Sequence, residues 1–337
     1  MGKRIEYIDL LKFFAIFCVL LGHSTEQISA DIFWDHPVWT FIYSYHMPLF
    51  IFLSGFFFRS SLKKSYPALL KDRAIQLLVP SVTAFLIGVA IMLIGKVNAM
   101  ADFCELSFNG FLNSVWFLKC LFLCCVVMWP MCRLCRNDIA AAVLASVLVL
   151  FLPYGDTVNF NFMLPMFALG MVCGSRMELL EKHWKALTAA SWVAFIALLP
   201  FWNGRMTVYM VPTNVIDLHT GAFDLENLGL SIYRIALGVA GTLAFFTLSR
   251  YVYELIRGSR WCDTMCRIGG ATLGIYVIQT FILEILIHCL HVYIPLPWSC
   301  IAAPLIAVAE LIACYGLTCL IRRSRIAGLL ILGQAPK

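Results

Sequence analysis

Apolar residues run along this chain in long blocks separated by short polar, mostly basic segments, and no strand-like alternation or internal repeat breaks the pattern. A helix needs about 17–25 such residues to cross the ~30 Å hydrocarbon layer at 1.5 Å per residue. The blocks predict about ten membrane helices, at 7–24, 38–58, 75–95, 112–132, 139–153, 160–175, 187–202, 229–249, 270–290 and 299–321. The fifth, sixth and seventh are the shortest. The fold class is therefore all-α, a polytopic integral membrane protein with a single transmembrane domain over 1–337. The longest polar stretch, 203–228, is too short to form a soluble domain.

Composition agrees. Hydrophobic residues make up 61% of the chain and charged residues 13%, and the mean hydropathy is +0.86, which excludes an ordinary soluble domain. Charge then orients the helices. With the amino terminus inside, all of the 25 basic residues fall in cytoplasmic segments except Lys96 and Arg205 outside and Lys12, Lys119 and Arg234 within spans. Such asymmetry predicts an even number of spans with both termini cytoplasmic. Topology accounts for the net charge of +6, so no nucleic-acid partner is called for. Lys3-Arg4 before an apolar block also resembles a signal peptide, but Asp9 and Lys12 interrupt that block and a second span follows. The fourteen cysteines lie mostly within spans, where they act as small apolar residues. Cys132 and Cys135 form a C-x-x-C with no second pair or nearby histidine, so no metal site is predicted.

The candidate chemistry lies in polar residues inside the apolar blocks. Lys12 and His23 are eleven positions apart, which on a helix leaves them about 20° apart in azimuth and roughly 16 Å apart along the axis. One helix face thus carries an ionisable group near each membrane surface. The predicted topology puts His23, His46, Lys119, Arg234 and Glu284 at one shared depth in the outer half of five helices, with Lys12, Gln279 and Glu310 deeper. Charges at such depth are costly and usually face a wet cavity or a partner. A polar cavity opening outward beside His23 and His46 is the simplest arrangement. Each residue alone has a plainer reading. Lys119 and Arg234 could snorkel to the headgroups, His46 could bond a neighbouring helix, and Glu284 or Glu310 could be structural acids. In Tyr45–Phe56, Pro48 should free a carbonyl near His46 and Gly55 should allow close helix approach.

The opening RIEYIDLLKFFAIFCVLLGH followed by YHMPLFIFLSGFFFR closely resembles the acyltransferase 3 family of bacterial membrane O-acyltransferases. The likeness continues through Arg73 and Pro80 in KDRAIQLLVP, Trp116-Phe117-Leu118, LPMFALGMVCG and GGATLGIYVIQTFILE. The opening block is most similar to the sugar and polysaccharide O-acetylase branch. The family's basic-residue-x10-His pattern falls on Lys12 and His23. Lysine in place of arginine makes a bidentate anion contact less suited to that position. Where relatives often carry histidine in the span-nine block, this chain has Gln279.

The resemblance implies about ten spans in the bacterial inner membrane. It also implies a cytoplasmic acyl-CoA donor, acetyl-CoA or another, and a carbohydrate hydroxyl as acceptor in the cell envelope. Transfer needs a base for the hydroxyl and a stabiliser for the oxyanion. His23 is the first candidate base and His46 its rival. Lys119 or Arg234 would hold the oxyanion or an acidic acceptor, Glu284 would orient a histidine, and Lys12 would line the donor path. Lys71, Arg73, Arg133 and Arg136 would meet the donor's phosphates, although topology alone also explains those four. A polysaccharide or small-solute exporter is the alternative, but it should show repeat symmetry or paired broken helices.

Overall fold

The computed structural model describes residues 5–95, 108–216, 221–290 and 293–334; side chains of 30–32, 92–95 and 282–290 lie outside the described set, Glu284 among them. The chain is helical nearly throughout. In order the helices are α1 (Glu6–Ser29), α2 (Pro37–Tyr43), α3 (His46–Phe56), α4 (Tyr66–Arg73), α5 (Val79–Gly95), α6 (Phe108–Asn113), α7 (Trp116–Cys135), α8 (Asp138–Leu150), α9 (Phe160–Ser175), α10 (Met177–Lys182), α11 (Trp184–Leu198), α12 (Leu225–Ile256), α13 (Arg260–Gly269), α14 (Thr272–Leu290), α15 (Ser299–Ile321) and α16 (Arg325–Leu332). Among the described residues there is no sheet, only one isolated bridge between Ile216 and Phe223.

Each predicted segment coincides with a helix. Eight stretches among the described residues are long and apolar enough to cross a membrane, while α8 is shorter. Helix α12 overshoots its predicted 229–249 at both ends. At 32 residues it is longer than the hydrocarbon layer requires. Large apolar side chains such as Val193, Ile196, Leu305 and Ile312 face outward, exposed by more than half. An exposed apolar perimeter of this kind is what a bilayer covers. The molecule is a multi-pass membrane protein.

Helix α1 is the axis of the bundle and packs against α2, α3, α12, α13, α14 and α15. Its first turn carries Glu6 and Asp9, which suit the positive helix N-terminus. The most extensive helix contact is between α3 and α9. Three glycines make it possible. A Cβ on Gly55 would run into the Phe167 carbonyl, one on Gly170 into the Phe52 carbonyl and one on Gly174 into the Phe56 carbonyl. The backbones therefore touch directly, which gives the close approach expected at Gly55.

The break in the second span falls one turn before Pro48. Helix α2 ends at Tyr43 and α3 begins at His46. Pro48 sits in the first turn of α3, where its missing N–H costs little. At the break the Ile42 carbonyl accepts from the Tyr45 backbone N–H at 3.2 Å and also from the His46 ring. A second irregularity, the π turn Ala74–Leu78, joins α4 to α5 and turns Gln76 inward. Wide turns of this kind are frequent at functional sites.

Candidate functional site

One end of the bundle carries the histidines. His23 Nδ1 lies 2.8 Å from Glu26 Oε2, one turn along α1. An ionised carboxylate only accepts, so Nδ1 carries the proton and the neutral ring keeps its basic lone pair on Nε2. The other Glu26 oxygen accepts from Trp39 Nε1 at 2.8 Å and from the Tyr43 hydroxyl at 2.5 Å. Three donors from two helices thus fix one carboxylate, and the carboxylate fixes His23. The sequence reading placed Glu26 in the outer loop, because the apolar pattern ends at residue 24. Helix α1 instead continues to Ser29 and brings Glu26 beneath His23.

His46 is nearly fully buried. Its Nδ1 lies 2.9 Å from the Ile42 carbonyl, which can only accept, so here too the basic lone pair falls on Nε2. Its ring meets Tyr43 edge-on with centroids 4.5 Å apart. Tyr43 therefore joins the two histidines, with its hydroxyl on Glu26 and its ring against His46.

Arg234 stands on the far side of His46, and both line one small cavity with Tyr43, Trp202, Thr207 and Tyr209. The arginine does not reach out to headgroups. It is 2% exposed, and its guanidinium donates to backbone carbonyls of Met206, Thr207 and Val211 at 2.6, 3.1 and 2.9 Å. The segment 203–216 that supplies them folds back over the bundle and is pinned by Asn161, whose Nδ2 donates to the Thr213 carbonyl at 2.8 Å. The segment's Gly204, Thr207, Thr213 and Val215 are buried against the bundle, while Arg205, Tyr209, Met210 and Pro212 are exposed. Two polar atoms here, Arg234 Nη1 and Thr207 Oγ1, are enclosed and make no hydrogen bond among the described residues. Such a group typically costs about 1–3 kcal/mol, so a ligand contact is a reason to keep it.

Lys119 is also buried, but its ammonium is spent on the Ser114 carbonyl and on the Phe111 ring, 4.6 Å from its centroid. It is not among the residues lining the histidine-end cavity. Next to the cluster, His36 lies 3.0 Å from Ser299 Oγ and ties the loop before α2 to α15. Burial holds the His36 ring below the ordinary histidine range.

The opposite end is basic. A cavity of about 520 Å³ opens there, lined by Lys64, Asp72, Gln76, Arg322 and Gln334 together with Gly270, Gly274 and Gly333. Lys64 pairs with Asp72, while Arg322 donates to the Gly270 carbonyl at 3.4 Å. Of the four basic residues singled out in sequence, none is on this wall. Arg73 is nearest, bonded to Gln76 Oε1 at 2.5 Å and Ser61 Oγ at 2.8 Å. Arg133 donates to the Leu62 carbonyl at 2.7 Å and lies over Trp129. Lys71 and Arg136 are exposed. Lys12 pairs with Asp9 at 3.2 Å and lies over the Phe57 ring.

A third cavity of about 140 Å³ sits between the two ends. It shares Gln76 and Leu273 with the basic-end cavity and Met47 with the histidine-end cavity. Its wall includes Phe50, Phe117 and Tyr276. The three spaces form a chain from one end of the bundle to the other. Among the described residues no cluster of three or more His, Cys, Asp or Glu could hold a metal ion.

A family profile described as an acyltransferase domain, acyltransferase 3, matches residues 5–323. Two curated proteins are similar over most of their length. A nodulation protein NolL of Mesorhizobium japonicum is 23% identical over 285 residues, covering 80% of this chain and 74% of the relative. A nodulation protein NolL of Sinorhizobium fredii is 22% identical over 298 residues, covering 80% of this chain and 76% of the relative. No solved structure matches the chain.

Proposed function

The chain belongs to the acyltransferase 3 family, and from that premise we propose that it is a membrane O-acyltransferase acting across the bundle. The donor is acyl-CoA, acetyl-CoA in the simplest case, entering at the basic end. The acceptor is a hydroxyl of a cell-surface or lipid-linked carbohydrate, met at the histidine end. The series of cavities carries this reading, because shared wall residues relate a basic mouth to His46, and Tyr43 and Glu26 relate His46 to His23.

The basic-end cavity is of ligand size. Arg322, Gln76, Gln334 and the glycine backbones suit a phosphate-bearing head group, and the narrow apolar middle suits a thin arm. At the other end Trp39 is fully buried; Trp34 meets it edge-on with centroids 5.1 Å apart and Tyr43 stacks on it at 3.8 Å. The partly exposed rings of Trp34 and Tyr43 offer an apolar body with a polar tip to a sugar acceptor.

Glu26 holds His23 with Nε2 basic, and Nε2 takes the acceptor's proton as its oxygen attacks the thioester carbonyl. The carbon–sulfur bond then breaks, and His23 returns the proton to the departing CoA sulfur. His46, with the same tautomer, is the second histidine on the path. The basic charge pattern makes the basic end cytoplasmic, in a bacterial inner membrane with both termini inside.

Purified protein in lipid vesicles, with acetyl-CoA supplied to one face at a time, tests this. Free CoA should appear only when the donor reaches the face carrying Lys64 and Arg322. Absence of CoA release from both faces, together with movement of a glycan across the vesicle wall, would replace the enzyme with the exporter.

A further inference from the structure

Arg234 and Thr207 form a unit that the base and the donor path leave unexplained. Arg234 Nη2 donates to the backbone carbonyl of Thr207 itself, 3.1 Å away, so the guanidinium is fixed against the backbone that carries the Thr207 side chain. Nε and Nη2 are committed to carbonyls, which leaves Nη1. Nη1 and Thr207 Oγ1 are both enclosed, both without a hydrogen-bond partner among the described residues, and both belong to residues on the wall of the cavity beside His46. Arg234 is 2% and Thr207 3% exposed.

The cavity decides what these donors can meet. Its volume is about 20 Å³, close to the roughly 10–15 Å³ that a single water-sized group requires. That is room for one ligand oxygen, and on the acyltransferase reading the oxygen that the donor path delivers is the thioester carbonyl's. We infer that Arg234 Nη1 and Thr207 Oγ1 form a two-donor hole for the thioester carbonyl oxygen at the reacting end of the donor path.

The inference rests on the acyltransferase reading above. When the acceptor oxygen bonds to the carbonyl carbon, the C=O π pair moves onto this oxygen, where the guanidinium N–H and the hydroxyl meet the new negative charge. The pair returns as the carbon–sulfur bond breaks, the sulfur leaving with that bond's electrons and taking up the proton held by the base. The guanidinium, held beforehand by backbone carbonyls, needs no rearrangement at that moment, which is when such contacts matter most.

Thr207→Val is the clean test. It removes a hydroxyl that makes no internal bond and leaves the backbone carbonyl on which Arg234 depends. Full-length protein in detergent, with acetyl-CoA as donor and water as acceptor, should lose about 10²-fold in kcat. KM and Kd for acetyl-CoA and the melting temperature should stay at wild-type values, and Thr207→Ser should restore most of the rate. A readout independent of turnover uses the His23→Ala background, which keeps the donor unreacted. There the infrared C=O stretch of carbonyl-labelled acetyl-CoA should lie below its solution value with Thr207 present and move back toward it with Thr207→Val. Wild-type kcat for Thr207→Val, a loss confined to KM, or an unshifted carbonyl band overturns the hole while leaving the acyltransferase reading intact. No CoA release by the wild-type protein overturns both.

Discussion

The Glu26 carboxylate gathers Trp39, Tyr43 and His23 around itself, and only the contact with His23 bears on proton transfer. Losing the ring and losing its orientation should therefore have related effects. His23→Ala should cut acyl transfer by about 10²–10⁴-fold at matched protein levels. Glu26→Gln should approach that loss. The amide oxygen can still accept from Trp39 and Tyr43, but the amide N–H₂ facing Nδ1 favours the wrong tautomer. Product measured by mass spectrometry, beside a melting curve, separates the two. If Glu26→Gln keeps the wild-type rate, the pair does not orient the base and the base role passes to His46. His23 and His46 stood out in the sequence because a titratable group inside an apolar block is conspicuous. Glu26 did not, since an acid just past the end of such a block looks like loop. Thr207 left no trace at all, because a threonine in a polar stretch is unremarkable until the stretch folds inward. Arg234 was visible, but its partners are backbone carbonyls of 203–216, and no side-chain pattern encodes those.

Among the elements, the pairing of α3 with α9 positions the chemistry, since α3 carries His46 at its first residue. The glycines set the distance between these helices. A methyl group at Gly170 would meet the Phe52 carbonyl, a backbone atom that cannot rotate away. Gly170→Ala should cost roughly 1–3 kcal/mol of stability by overpacking. It should also reduce acyl transfer by displacing His46, whereas Gly316→Ala, where a Cβ meets open space, should leave both unchanged. Thermal denaturation of detergent-solubilised protein followed by size-exclusion checks the pair, and equal melting temperatures for the two variants would show that the interface tolerates separation. Gly55 was readable as a close-approach residue from its place in an apolar block. Its partners on α9 were not, because helix pairing depends on three-dimensional order that periodicity does not carry. The break at Ser44–Tyr45 was displaced by one turn for a related reason. Proline in a first turn starts a helix rather than kinking one.

Over the whole molecule, the apolar pattern was sufficient to find the ten apolar segments as helix, because burying a span in a bilayer requires a long apolar run, whereas the short helices α4, α10, α13 and α16 left no such run. Helix ends were less legible, as α1 and α12 show, since a helix can continue past the hydrocarbon layer without needing apolar residues. The direction of transfer depends on orientation, and orientation depends on charge. On the proposed reading the face that holds Lys64 and Arg322 receives the donor, and positive-inside asymmetry predicts that this face is cytoplasmic. To check it, Cys104, Cys289 and Cys300, which the predicted topology puts in or near the outer face, and the part-exposed Cys132, Cys135 and Cys319 are first replaced by alanine. One accessible cysteine at a time is then introduced in that background, as Glu226→Cys, at the start of α12, or as Lys63→Cys, after α3; both positions are exposed. A membrane-impermeant maleimide should label Glu226→Cys on intact cells and Lys63→Cys only after permeabilisation. The reverse pattern would put the basic mouth outside, where acyl-CoA is not supplied. It would then refute the proposed direction of transfer, whatever the histidine variants show.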